Sequence, residues 1–259
     1  MKELKIIYLY FSYSLQQTLF NLPIFFFFLL SKLIRYGMFF IFLFYLVGGV
    51  NNIGGYTREQ MLIFYLVFNL IDTASQLLFR ETYRFRPLLV SGNFDFVLTK
   101  PTNPLIRVLL GGPDFIDFGM LLMLLSILIY FVGRLPDINF LQIILFIGLF
   151  LNSLLIATAF HISVLAIGIL TLNVDHLIMI YRDLTALARI PVDLFIEPMR
   201  WIITFIVPIG IMFTFPAKVL FGILDWKLVV VSFAIGLITI LLSIKFWNYS
   251  LKHYQSASS

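Results

Sequence analysis

Chemistry in this 259-residue chain has few residues to draw on, because only 12% are charged and none is cysteine. Disulfides, thiolate metal sites and cysteine nucleophiles are excluded. No GxxxxGK[ST] phosphate cradle, HExxH, GxSxG or paired-carboxylate constellation occurs. His161, His176 and His253 are scattered, and a lone histidine in a membrane is more often a satisfied core group than a ligand. What remains is polarity set inside apolar runs. Asn69, Asp72 and Gln76 fall at i, i+3 and i+7 and share one helix face. Such a face has to turn toward protein or water. Lys32 and Arg35 interrupt the preceding apolar run, either inside the membrane or as cations that snorkel to its surface. Arg35 precedes Gly54 by 19 residues and Asp72 follows it by 18. In a helical hairpin they reach the same depth, so an Arg35–Asp72 ion pair is expected, structural or part of a transport route. Asp114 and Asp117 suit the first turns of a helix, where carboxylates complement the positive end.

The densest charge lies from Arg80 to Arg107, with five basic and two acidic side chains, a net +3 of the chain's +5. A compact basic segment between membrane spans is expected to stay cytoplasmic. Its punctuation, Ser91-Gly92-Asn93 and Pro101-Thr102-Asn103-Pro104 around Asp95, exceeds what a simple connector needs. Short helices are expected between Asn93 and Thr99 or just after Pro104, with Gly111-Gly112 as a hinge.

The elements that position these residues are membrane helices. Hydrophobic residues make up 61% of the chain, and its apolar runs are continuous. That predicts an all-α polytopic membrane protein and excludes a β-barrel, whose strands alternate. The basic residues cluster at span ends, so the pI near 9.4 calls for a lipid bilayer and no nucleic acid. Residues 1–21 suit an interfacial helix, with no cleavable signal peptide. Six spans are predicted at 23–49, 59–78, 113–131, 139–157, 162–181 and 228–246, with external turns at Val50–Arg58 and Gly133–Asp137. Residues 80–112 form the cytoplasmic segment. The run from 139 to 181 accommodates two spans only with a tight turn at Thr158–His161. A competing reading makes Phe140–Thr171 one helix and places the next span across Met199–Phe215. Residues 182–226, broken by Pro191, Pro198, Pro208 and Pro216 with Arg200 among them, suit external or re-entrant pieces. Trp226 and Trp247 bracket the last span. Lys245, Lys252 and His253 then put the C-terminus on the cytoplasmic side with the N-terminus.

The stretch Gly92-Asn93-Phe94-Asp95-Phe96-Val97-Leu98-Thr99-Lys100-Pro101-Thr102-Asn103-Pro104 resembles the signature G-[ED]-[LF]-D-x-x-L-x-[KR]-P-x-x-P of the bacterial ABC-2 type permeases of the six-span branch. Asn93 departs from it at the acidic position. A looser similarity lies in the prolines of residues 190–217, which resemble the external, re-entrant segment of that branch. The resemblance implies a transmembrane subunit of an ATP-binding-cassette exporter in the bacterial cytoplasmic (inner) membrane. A second permease chain, identical or a sister, and ABC ATPase subunits would be its partners. ATP and Mg would sit in the ATPase, leaving no cofactor and no catalysis in this chain. It also implies a coupling helix between spans 2 and 3, with Arg84, Arg86, Gly92, Asp95, Lys100, Pro101 and Pro104 at the ATPase contact, and favours the tight-turn reading of 139–181. An ion-coupled secondary transporter is the alternative, although Asp72 lacks an evident counterpart in the second half apart from Asp175. Nothing in the sequence names the substrate.

Overall fold

The apolar runs become helices in the computed structural model, which describes residues 2–48, 53–136 and 138–256. In chain order they are α1 (Lys2–Phe20), α2 (Leu22–Gly48), α3 (Arg58–Phe79), the short α4 (Phe85–Val90), α5 (Phe94–Leu98) and α6 (Pro104–Leu110), then α7 (Ile116–Val132), α8 (Phe140–Thr171), α9 (Val174–Ala186), a bent pair α10 (Met199–Ile206) and α11 (Gly210–Leu220), and α12 (Trp226–Lys252). No strand occurs among the described residues. Val50 to Asn52 of the first turn expected to be external, and Asp137 of the second, lie outside them. The helix starts have local causes. Thr57 and Gln60 form a capping box at α3, Asn139 and Gln142 form another at α8, and Asp225 accepts from the Lys227 amide at α12.

Helices α2, α3, α8 and α12 are each long and apolar enough to cross a membrane; α10 and α11, bent by 78°, make a fifth if counted as one span. Helix α7 is apolar but only 17 residues long. At the centre stands α3, 83% of its most apolar window buried, against α2, α7, α8 and α11. The second framework is α8 against α12. Asn152 Nδ2 donates to the Ser232 carbonyl (3.0 Å), and a Cβ at Gly236 would collide with the Asn152 amide. Small residues allow such close approach where no water drives helices together. Ser126, Thr158 and Ser163 each donate to the carbonyl four residues back, which satisfies hydroxyls in a dry medium.

The tight turn expected at Thr158–His161 does not exist. Helix α8 runs through it for 32 residues, about 48 Å at 1.5 Å per residue. Within the helix Thr158 back-bonds and His161 Nδ1 donates to the Ala157 carbonyl (2.8 Å), while His161 Nε2 is buried without a hydrogen-bond partner among the described residues. The chain reverses instead at Leu172, in the left-handed region with φ 59°. The return begins at Asp175, whose carboxylate meets Arg86 beyond one end of α3 (3.3 Å), and reaches Asp193, which accepts from Tyr56 Oη beyond the other (2.7 Å). Residues 175–193 therefore run the length of α3 as α9 followed by two 3₁₀ turns. Burial, and then the Asp193 carboxylate, push the Tyr56 phenol well above its usual range.

Candidate functional site: the basic segment and its cleft

The basic segment folds into a 3₁₀ turn (Arg80–Arg84) followed by α4, α5 and α6, so helix forms at both places the sequence offered. Gly92 joins α4 to α5 with φ 71°, a conformation that favours glycine. Asn103 caps α6 through the Leu105 amide (2.9 Å), with Pro104 in the first turn. Two phenylalanines pin the segment to the bundle. Phe94, fully buried, stands edge-on to Phe85 (5.2 Å) and to Tyr254 (5.2 Å), while Phe85 lies beside Trp247 (6.5 Å). One aromatic cluster thus joins α4, α5 and the end of α12. Trp247 is buried there, 2% exposed, and is no interface anchor as its spacing had suggested.

The matched stretch is thus a structured unit, consistent with the wider comparison. The sequence profile of the ABC-2 family transporter proteins matches residues 33–258. The chain belongs to that family. No curated protein and no solved structure matches it. As an ABC-2 family protein with apolar helices of this length it is a multi-pass membrane transport component.

Most charges expected at the permease's docking surface are instead spent on ties within the chain. Arg86 reaches Asp175 of α9. Asp95 accepts from Tyr254 Oη (3.0 Å) and from Ser256 Oγ, which closes the C-terminal tail over α5. Burial and the same carboxylate push the Tyr254 phenol up. Arg84 pairs with the buried Glu81 (3.4 Å), and Glu81 also holds Arg107 of α6 (2.5 Å). Gly112 lies directly under that cluster, where a Cβ would strike Glu81, so the glycine pair is a packed corner in place of the expected hinge. Lys100 and Pro101 remain exposed on the turn before α6. Beside the exposed Arg86, the outer face of α4 and α5 presents apolar side chains, Val90, Phe96 and Leu98, with Phe96 68% exposed. Sequence reasoning missed this face because it weighed charge; the alternation of buried Phe94 and Val97 with exposed Phe96 and Leu98 was the available signal.

Within the helices, the expected Arg35–Asp72 ion pair is absent. The depth register is right, since both residues line one small cavity of about 130 Å³ with Arg189. But Gln76, one turn along α3, donates to Asp72 Oδ2 (2.7 Å), and Arg35 turns to its neighbour Tyr36 (3.1 Å). Asn69 donates to the Tyr65 carbonyl (2.7 Å). Lys32 has a firmer role than snorkelling: it pairs with Asp117 of α7, whose side chain is 1% exposed. Asp117 is thus an ion partner and more than a complement to a helix end, while Asp114 accepts from the Ile116 amide (3.1 Å) and pairs with Arg80 (3.5 Å). Helix α7 begins three residues later than Pro113 suggested, because residues 113–115 form the turn that Asp114 caps.

The prolines of the far segment are distributed as its irregularity requires. Pro191 precedes a 3₁₀ turn, Pro198 precedes α10, Pro208 sits buried at the bend, and Pro216 lies in α11 after a π-helical turn. Arg200 pairs with Glu197 (2.6 Å) at the segment's surface. The bend inserts: Ile206 and Pro208 line a cavity of about 430 Å³ with Ile156 and Phe160 of α8 and Phe246 of α12. Ser153 of α8 donates to the Met212 carbonyl (2.6 Å), and Lys218 pairs with Asp193 (3.2 Å).

Proposed function

We propose that the chain is the permease subunit of an ABC exporter, driven by ATPase subunits that dock on α4 and α5. This reading takes six crossings, α2, α3, α7, α8, the stretch from α9 to Leu194, and α12, which the ties between elements support. On this reading α10 and α11 re-enter from the external side, and both termini lie in the cytoplasm of a bacterial cell. Two copies, or one copy and a sister chain, would enclose the substrate route. ATP and Mg stay with the ATPase, and this chain has no catalytic role of its own.

The observation that carries the reading is the build of α4–α5. Its inner residues Phe85, Phe94 and Val97 are buried, its outer residues Val90, Phe96 and Leu98 are exposed, and Asp95 ties it to the tail of α12. A push on the outer face is then delivered to α12 through the aromatic cluster and to α3 through the turn at Arg80–Arg84. A dense contact set between short helices transmits displacement because packed interiors deform little. Against an ion-coupled transporter stands the state of the membrane carboxylates: Asp72 is held by Gln76 and Asp117 by Lys32.

The test is recovery of the ATPase with tagged permease from membranes. Phe96→Asp places a charge in the apolar contact and is expected to lower recovery at least tenfold, with the chain still inserted. Phe27→Ala, on the bare face of α2, is expected to leave it unchanged. Equal recovery for both variants would overturn the docking assignment.

A further inference from the structure

A cleft of about 460 Å³ opens between α1, α2, α7, α9 and the basic-segment end of α3. Five cations line it, Lys32, Arg35, Arg80, Arg84 and Arg182, against a single carboxylate, Asp114. Three have partners of their own: Lys32 has Asp117, Arg80 has Asp114 at 3.5 Å and Arg84 has Glu81 at 3.4 Å. Among the described residues, neither Arg35 nor Arg182 has a carboxylate at ion-pair distance. Positive charge held at a membrane helix without a paired anion is costly and is retained where something uses it.

We propose that this cleft binds the phosphate-bearing headgroup of an amphiphile. The guanidinium fork of Arg35 from one wall and of Arg182 from the other matches the oxygens of a phosphate, which accepts two parallel hydrogen bonds from each fork. Arg80 and Arg84 contribute further positive charge, their own pairs being long. The rest of the wall suits a chain: Ile24, Phe25 and Phe28 of α2 line the same cleft. Beyond Arg35, α2 continues with Met38 and Ile41 exposed at 67% and 55%, a path along which an acyl tail would lie. The cleft sits where α3 gives way at Arg80 and the turn at Asp114 leads into α7, on the side of the basic segment. The binding stands on these residues alone; that the amphiphile is cargo rests on the exporter reading.

The test uses the purified full chain in nanodiscs of zwitterionic lipid and measures binding of a fluorescent short-chain phosphatidic acid. Binding is expected to saturate, and Arg35→Gln with Arg182→Gln is expected to weaken it at least tenfold. Both side chains are exposed and carry no ion pair, and the Arg→Lys pair of substitutions, which keeps the charge, is expected to recover part of the affinity. A short-chain phosphatidylcholine should not compete. Competition by inorganic phosphate at the same concentration as the amphiphile would support the anion site and assign its source to a soluble phosphate. Unchanged affinity in the Gln variants, or equal competition by phosphatidylcholine, would overturn the proposal. Either result leaves ATPase recovery untouched, so it does not bear on the docking reading.

Discussion

Helices α2 and α3 are adjacent in sequence and nearly equal in hydropathy, 1.8 and 1.6, yet one is 6% buried and the other 83%. Every residue from Met61 to Ile71 of α3 is buried, whereas Phe26, Phe27, Phe28 and Leu30 of α2 face outward. Hydropathy records what a helix can be dissolved in, and lipid and protein interior are equally apolar solvents for phenylalanine. What separates the two helices is the kind of polarity they carry. The polar groups of α3, Asn69, Asp72, Thr73, Ser75 and Gln76, hold one carboxylate among small or amide-bearing side chains and spread along a helix packed on several sides. Those of α2 include two cations near its middle, Lys32 and Arg35, one of them its ion tie to α7.

This contrast can be broken by removing that tie. Lys32→Met leaves the Asp117 carboxylate buried and unpaired, and is expected to cost about 3–5 kcal/mol, read as a lower unfolding midpoint in detergent. The double variant Lys32→Met with Asp117→Asn is expected to recover most of the loss. If the single variant is as stable as the parent, α2 is held by something other than its charge. In α3, Ile63→Ala opens a cavity at a fully buried site and is expected to cost about 3 kcal/mol, while Phe27→Ala in α2 should stay within about 0.5 kcal/mol. The smallest intervention sharpens the same line without altering the packing. The chain has no cysteine, so single substitutions report cleanly. Phe27→Cys is expected to react with a lipid-phase maleimide, and Ile63→Cys to stay unlabelled until the protein is unfolded.

The sequence made the helical class, the membrane setting and four of the long helices legible, because continuous apolar runs of about twenty residues have one stable solution in a bilayer. It also placed Gly92 at a point needing a glycine and Pro104 in a first turn. At α8 the tight-turn reading failed and the competing single helix over Phe140–Thr171 is the one observed, with Thr158 and His161 Nδ1 bonded back to preceding carbonyls. Sequence reading failed again at the basic segment. Arg86, Arg84 and Asp95 were read as free for a partner, but each has an intramolecular one supplied by α9, by Glu81 or by the tail after α12. Those partners lie 89, 3 and 159 residues away along the chain, and the two distant ones have no sequence pattern to announce them. The far segment showed its irregularity through its prolines, while the depth to which Pro208 inserts depends on contacts with α8 and α12 that spacing does not encode.

The coupling assignment turns on what Phe96 touches. Phe96→Cys carrying a benzophenone label, in cells that express the whole transporter, should crosslink on illumination to a protein whose peptides contain a GxxxxGK[ST] phosphate-binding loop. Crosslinks to lipid alone, or to no nucleotide-binding protein while Phe27→Cys gives the same pattern, would contradict the account.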